Sequence, residues 1–228
     1  MMRLLGVERV NSILLARNFR AYRRAGVIFI HVPKAAGSTI SAALYGRSLG
    51  HFTAAELRDH APRTFTKLSS FAILRDPVAR AVSAWRYARS GGTAEGWIAP
   101  HPDYALPAFQ TLEHFACDWL PPRIAAPDLD FVFRPQTGFV CDQTGTPIPD
   151  HLFALERPAP LSAFLATRGV ADLSRMPGRN RNPGGEDDLA TLSARARGAL
   201  AGIYADDVAL YRSLITQSPD ETAGGPPE

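Results

Sequence analysis

The feature that most constrains this chain is a pattern that occurs twice: a short apolar run stops near a basic residue and passes at once into a helical pattern. In the first case VIFIHV (27–32) is followed by Pro33, Lys34, Ala35 and Ala36, then by Gly37, Ser38 and Thr39 opening the stretch STISAALYG. A few apolar, β-branched residues bounded by turn formers read as a buried strand. Ile40, Ala43 and Leu44 then recur on one helical face, with Gly46 as a stop. In the second case FAIL (71–74) ends on Arg75. Asp76 stands at an N-cap and Pro77 at the first helical position, where the amide it lacks would be unpaired anyway. Val78, Val82 and Trp85 make that helix's buried stripe, and Gly91-Gly92 ends it.

This alternation is the grammar of an α/β domain built on a mainly parallel sheet. Further runs at Phe131–Phe133 and Leu152–Leu155 read as two more short strands, closing on Arg134 and Glu156. In such sheets ligands collect beyond the carboxyl ends of the strands, which gathers Lys34, Arg75 and Arg134 around one crevice. The Gly-Ser-Thr turn adds unpaired amides and the positive end of a helix dipole. The chemistry is that of a cradle for a phosphate-like anion. It is not a Walker loop, because Lys34 precedes Gly37 by three residues instead of standing directly before the Ser/Thr. Nor does the second strand end on an aspartate that would hold magnesium. Ser83, eight positions beyond Arg75 and off the apolar stripe, completes a second anion site with it.

The rest of the chain sets limits. With 228 residues and 46% hydrophobic content it can bury one sizeable core. A net charge of +3, from 25 basic and 22 acidic residues without long basic blocks, favours anionic ligands and argues against a nucleic-acid arm. Cys117 and Cys141 lack the spacing of a zinc or redox site and read as buried thiols in a reducing, cytoplasmic setting. Residues 1–25 read as an amphipathic helix, without the roughly 18 apolar residues of a membrane span or a signal-peptide core. Contact of this helix with a membrane is not expected. Residues 26–217 form the expected domain, and 218–228 a disordered tail. A helix around 106–120 lies within the poorly periodic stretch 92–128, which reads as a lid or acceptor-binding region. Two helices are expected at about 187–200 and 203–215.

Two separate anion sites without a metal carboxylate suit one cofactor, 3′-phosphoadenosine-5′-phosphosulfate, with its phosphosulfate at one end and its lone phosphate at the other. HVPKAAGST resembles the 5′-phosphosulfate loop of sulfotransferases, and FAILRDPVARAVSAWRY their 3′-phosphate strand and helix. The closer resemblance is to the branch containing the Golgi heparan 2-O- and 6-O-sulfotransferases and their bacterial relatives. GHFTAAEL, RPQTGF, FALERP and IYADDVALY resemble segments of that branch in the same order, so the likeness spans about 26–213. It implies a P-loop-like three-layer α/β domain that moves a sulfuryl group to an acceptor hydroxyl, with 3′,5′-adenosine bisphosphate as product and no metal. Lys34 would hold the bridging and sulfonate oxygens, and Ala35, Ala36, Gly37, Ser38 and Thr39 would form the 5′ loop. Arg75 and Ser83 would bind the 3′-phosphate. His51 is the expected general base, with His60 a weaker choice. Arg134 and Gln136 would contact acceptor or cofactor, and Arg179, in GRNRNPG with Asn180 and Arg181, would close over the nucleotide. The acceptor is expected to be a glycan hydroxyl.

Simpler roles compete at several positions. His31 ends a buried strand and reads as structural, Trp85 as core instead of an adenine platform beside Tyr87, and Glu156 as a salt-bridge partner. Two other classes of function remain: a P-loop-like kinase, disfavoured by the missing GK[ST], and a non-catalytic protein that binds the bisphosphonucleotide. Oligomeric state is not encoded in any pattern visible here.

Overall fold

The computed structural model describes residues 2–93, 96–97, 101–170 and 185–216. Three parallel strands form the central sheet in the order β1 (Val27–Ile30), β2 (Ser69–Leu74), β5 (His151–Ala154). Ile30 pairs with Ala72 and Leu74 with Ala154, so the carboxyl ends of all three lie along one edge. A two-residue ribbon, β3 (Gly92–Thr93) with β4 (Gly96–Trp97), stands apart.

Helices flank the sheet. α1 (Met2–Ala25) turns directly into β1 at Gly26, whose φ of +68° is the left-handed conformation glycine adopts without strain. α2 (Gly37–Tyr45) follows β1 and is closed by Gly46, also left-handed. α3 (Ala54–His60) starts with a capping box: Thr53 accepts from the Glu56 amide, and Glu56 accepts from the Thr53 amide. α4 (Pro62–Phe65) leads into β2, and α5 (Pro77–Arg89) out of it, with Asp76 capping the Ala79 amide as its sequence position predicts. α6 (Pro107–Gln110) and α7 (Leu112–His114) precede a π turn at Phe115–Trp119, and α8 (Thr137–Val140) precedes β5. α9 (Pro158–Ala166), α10 (Gly185–Ala190), α11 (Ala194–Ile203) and α12 (Ala205–Thr216) complete the described chain.

Three expectations fail locally, one of them the helix read at about 187–200, which is two helices, α10 and α11, the second restarted by the Ser193 cap. Phe131–Phe133 is a 3₁₀ turn, because Asp130 caps it through the Val132 amide and Pro135 follows closely. The single helix expected over 106–120 is broken into three short pieces, since Pro107 and the Thr111 cap each restart the helix.

Burial divides into two clusters. One joins the sheet to α1, α2, α3, α9 and α12, and includes Phe19, Tyr22, Ile28, Phe71 and Leu74. The other packs α5, the 109–133 region and α11 around Trp85, Phe109, Phe115, Trp119 and Tyr204. Trp85 is core, as expected, and its indole donates to the Phe109 carbonyl at 2.8 Å. Much of the stretch read as a lid is therefore the second core: Phe109, Phe115, Trp119 and Leu120 are all buried. No described helix is long and apolar enough to cross a membrane.

Candidate active site

The loop from β1 to α2 departs from ordinary backbone. Lys34 and Ala36 have φ of +66° and +60°, a left-handed conformation that costs a residue with a Cβ about 1 kcal/mol or more. Alternating backbone of this kind turns successive N–H groups into a concave anion nest. α2 begins immediately after it with no side-chain hydrogen bond from its N-cap, Ala36, and turns the positive end of its dipole toward the loop. Gly37 is required by space: a Cβ there would come within 1.9 Å of the His31 ring. Ser38 and Thr39 sit half-buried in the first turn.

Lys34 and Arg75 meet at this loop. The Arg75 guanidinium makes a long hydrogen bond, 3.4 Å, to the Lys34 carbonyl. The Lys34 ammonium rests over the Tyr87 ring, 4.1 Å from its centroid. Burial, reinforced by the Arg75 charge, pulls the Lys34 ammonium down to about 8. Burial also lowers Arg75, although Glu156 and Asp76 act in the opposite sense. Among the described residues neither cation forms an ion pair with a carboxylate. Two partly buried cations held together, neither of them in an ion pair among the described residues, suit a site for an anion. Ser83 lies one helical turn before Tyr87 on the same face of α5, and both are only partly buried. The Tyr87 contact thus shows that this face looks toward Lys34.

His51 approaches from the segment after α2. Its Nδ1 is 2.9 Å from the His31 carbonyl, which can only accept, so Nδ1 carries the hydrogen and Nε2 keeps its lone pair. Burial lowers its pKa, the hydrogen bond opposes that and Lys34 adds to it, leaving a neutral base near pH 7. The His31 ring lies 4.0 Å away, wedged against Gly37, and burial, His51 and Lys34 together hold it far below the usual range. His31 is buried, as its place at a strand end suggests, but its Nδ1 has no hydrogen-bond partner among the described residues. His60 is exposed and stacks on Phe19, outside this cluster.

The remaining expected residues fall elsewhere. Gln136, expected to touch a ligand, is wholly buried. Its side chain accepts from the Arg75 amide at 3.0 Å and donates to the Arg75 carbonyl at 2.9 Å, pairing with the strand end as a neighbouring strand would. Arg134 is exposed; its carbonyl accepts from Arg80 and its side chain reaches the Leu129 carbonyl. Arg179, Asn180 and Arg181 lie outside the described residues.

What the sequence reading missed is the support beneath Arg75. Asp207 of α12 accepts from the Gln136 and Thr137 amides, both at 2.8 Å, and from the Thr137 hydroxyl. It also faces buried Arg80 at 3.9 Å. One turn on, Tyr211 donates to Glu156, which in turn accepts from the Asp76 amide. Two relays from one helix therefore hold consecutive residues of the β2–α5 turn. The i, i+4 spacing of Asp207 and Tyr211 was the available signal. Tyr87 carried a similar one, four residues after Ser83.

A parallel α/β sheet whose strand ends present an anion nest, the N-terminus of α2 and two partly buried cations defines a P-loop-like group transferase. The model of the sulfotransferase family matches residues 17–212, and the chain belongs to that family. Membership assigns it to sulfuryl transfer onto a hydroxyl-bearing acceptor. No curated protein and no solved structure matches the chain.

Proposed function

We propose that this protein transfers the sulfuryl group of 3′-phosphoadenosine-5′-phosphosulfate to an acceptor hydroxyl on a carbohydrate, in one in-line step without a metal. The observation that carries the reading is the pair Lys34 and Arg75, partly buried together at the mouth of α2, neither in an ion pair among the described residues. The loop amides and α2 receive the 5′ end of the donor, and Arg75 with Ser83 receives the 3′-phosphate. His51 Nε2 takes the acceptor proton as the new O–S bond forms. The S–O bond to the 5′-phosphate breaks, and Lys34 stabilises the electron pair that departs with the phosphate oxygen. Stabilisation of this kind, in a site shielded from water, usually contributes most to catalysis. The carbohydrate acceptor rests on the likeness of GHFTAAEL, RPQTGF and FALERP to the heparan-type branch. The cytoplasm, where the activated donor is made, is the location this reading favours.

Calorimetric titration with 3′,5′-adenosine bisphosphate tests it, with ATP plus magnesium and 5′-AMP as controls. Selective, metal-independent binding of the bisphosphate, weakened at least tenfold in Arg75→Ala, is expected. Preference for magnesium ATP, or indifference to the 3′-phosphate, would overturn it in favour of a kinase.

A further inference from the structure

A surface cavity of about 380 Å³ lies beside His51, outside the loop that holds Lys34. Its walls come from α1 (Leu14 and Asn18), from residues 47–52 and from Glu56 of α3. We propose that this cavity is the acceptor subsite, and that it takes an uncharged, hydroxyl-rich ring of sugar size. The proposal rests on the transferase reading and deepens it.

Position is the first argument. α1 turns back on β1 at Gly26, with Phe19 and Tyr22 packed in the same core as Val27 and Ile28. Asn18, eight residues before Gly26, is about 12 Å back along the helix. Ile30, four residues after it, is about 13 Å along the strand. The cavity wall therefore stands level with the carboxyl edge of the sheet, where Lys34 and Arg75 lie. His51 joins the two regions, since it lines the cavity while its ring meets His31, and His31 packs on Gly37.

Chemistry is the second argument. The cavity presents an aromatic ring (Phe52), an aliphatic surface (Leu14, 43% exposed), a guanidinium (Arg47) and a carboxylate (Glu56). Polar and apolar groups share the lining about equally, a mixture that suits the hydroxyls and ring face of a sugar, and the volume falls in the usual range of ligand sites. The polar groups are held in place. Asn18 donates to the Leu49 carbonyl at 2.7 Å and accepts from Arg47, and Glu56 is fixed by the Thr53 amide and hydroxyl. One positive and one negative group, each already engaged, give recognition by hydroxyl hydrogen bonds and ring-face contact. Charge matching would contribute little. A polyanionic acceptor would have required a cationic lining. The acceptor thus enters between α1 and the 47–56 segment, and the 92–128 stretch, much of it packed as core, does not supply this site.

Leu14→Trp tests this, because Leu14 is exposed enough to take a larger side chain without repacking the core. The protein is saturated with 3′,5′-adenosine bisphosphate and probed by saturation-transfer NMR with methyl glycosides of glucose, galactose and mannose. Sulfate transfer from the labelled donor to the same glycosides is measured in parallel. At least one glycoside should bind the wild type and be sulfated, equally well in 0.05 M and 0.3 M salt. Leu14→Trp should raise the glycoside KM at least tenfold and leave bisphosphate affinity within twofold. Sulfation unaffected by Leu14→Trp overturns the placement of the subsite. Bisphosphate binding without any glycoside binding or transfer overturns the sugar class, as does transfer that collapses with salt. Failure to bind bisphosphate removes the donor reading itself, and this proposal with it.

Discussion

Burial lowers the pKa of both Lys34 and His51, and the consequences can be measured. Lys34 titrates near 8 in the folded protein, below its ordinary value of 10.5. Below about pH 8 both folded and unfolded chains carry this proton, so the burial cost of the charge is fully present. Between about 8 and 10.5 the unfolded chain binds more proton, so this group makes stability rise with pH. Lys34→Met keeps a flexible stem and removes the charge. It should raise the melting temperature at pH 7 while abolishing transfer, and its advantage should shrink as pH climbs above about 8. The lost Tyr87 contact offsets only about 0.5–1 kcal/mol of the gain. Thermal scans of both proteins from pH 7 to 10 check this, and a lower melting temperature for Lys34→Met at pH 7 would refute it. Burial lowers the pKa of His51; if, as proposed, it is the neutral base, its limb of kcat/KM falls on the acid side, below the ordinary 6.5. The alkaline limb of kcat/KM should lie near 8, where free Lys34 loses its proton. In kcat that limb should move upward, because bound anion favours the charged lysine.

At the scale of elements, the β2–α5 turn is held from below by α12. The main chain of Arg75 lies beyond the β1 and β5 ladders, and the Gln136 amide supplies the partners a further strand would have supplied. Gln136→Leu keeps the volume and orphans an amide and a carbonyl, each costing about 1–3 kcal/mol when buried. It should melt at lower temperature and lose selectivity for 3′,5′-adenosine bisphosphate over the 5′-diphosphate, while its affinity for the latter hardly changes. A ligand-contact role for Gln136 would instead weaken both. The two strand-loop-helix units were legible because apolar run, turn chemistry and helix face agreed at 27–46 and 71–91. The Asp76 cap and the core placement of Trp85 followed from the same local rules. The support beneath the site was not legible, since Gln136 and Asp207 meet across 71 residues and a buried amide looks in sequence like an exposed one. Phe131–Phe133 failed for a related reason: three apolar residues fit a strand or a turn, and the Asp130 cap decides.

The whole molecule places its chemistry along one edge of a three-stranded sheet, and α1 is part of that edge and not an appendage to it. Its sequence reads as an amphipathic helix without showing what it packs against; Phe19 and Tyr22 are 2% exposed and share a core with β1 and β2. Tyr22 packs edge-on against Phe19 and Tyr45, and Tyr45 bridges the Val27 carbonyl and the Phe29 amide. Asn18 ties the helix to the Leu49 carbonyl, two residues before His51. A sheet of three strands has little core to spare, and removal of a large buried aromatic costs about 3–5 kcal/mol against a total stability of about 5–15 kcal/mol. The amides of residues 15–25 should therefore exchange with solvent by the same global opening as those of β1 and β2. Phe19→Ala should lower the protection of both sets in parallel, by an amount on the order of 3–5 kcal/mol. Native-state hydrogen exchange under increasing denaturant separates the alternatives. Were α1 an independent element, its amides would open at much lower free energy than the strands, and Phe19→Ala would loosen the helix while leaving strand protection intact.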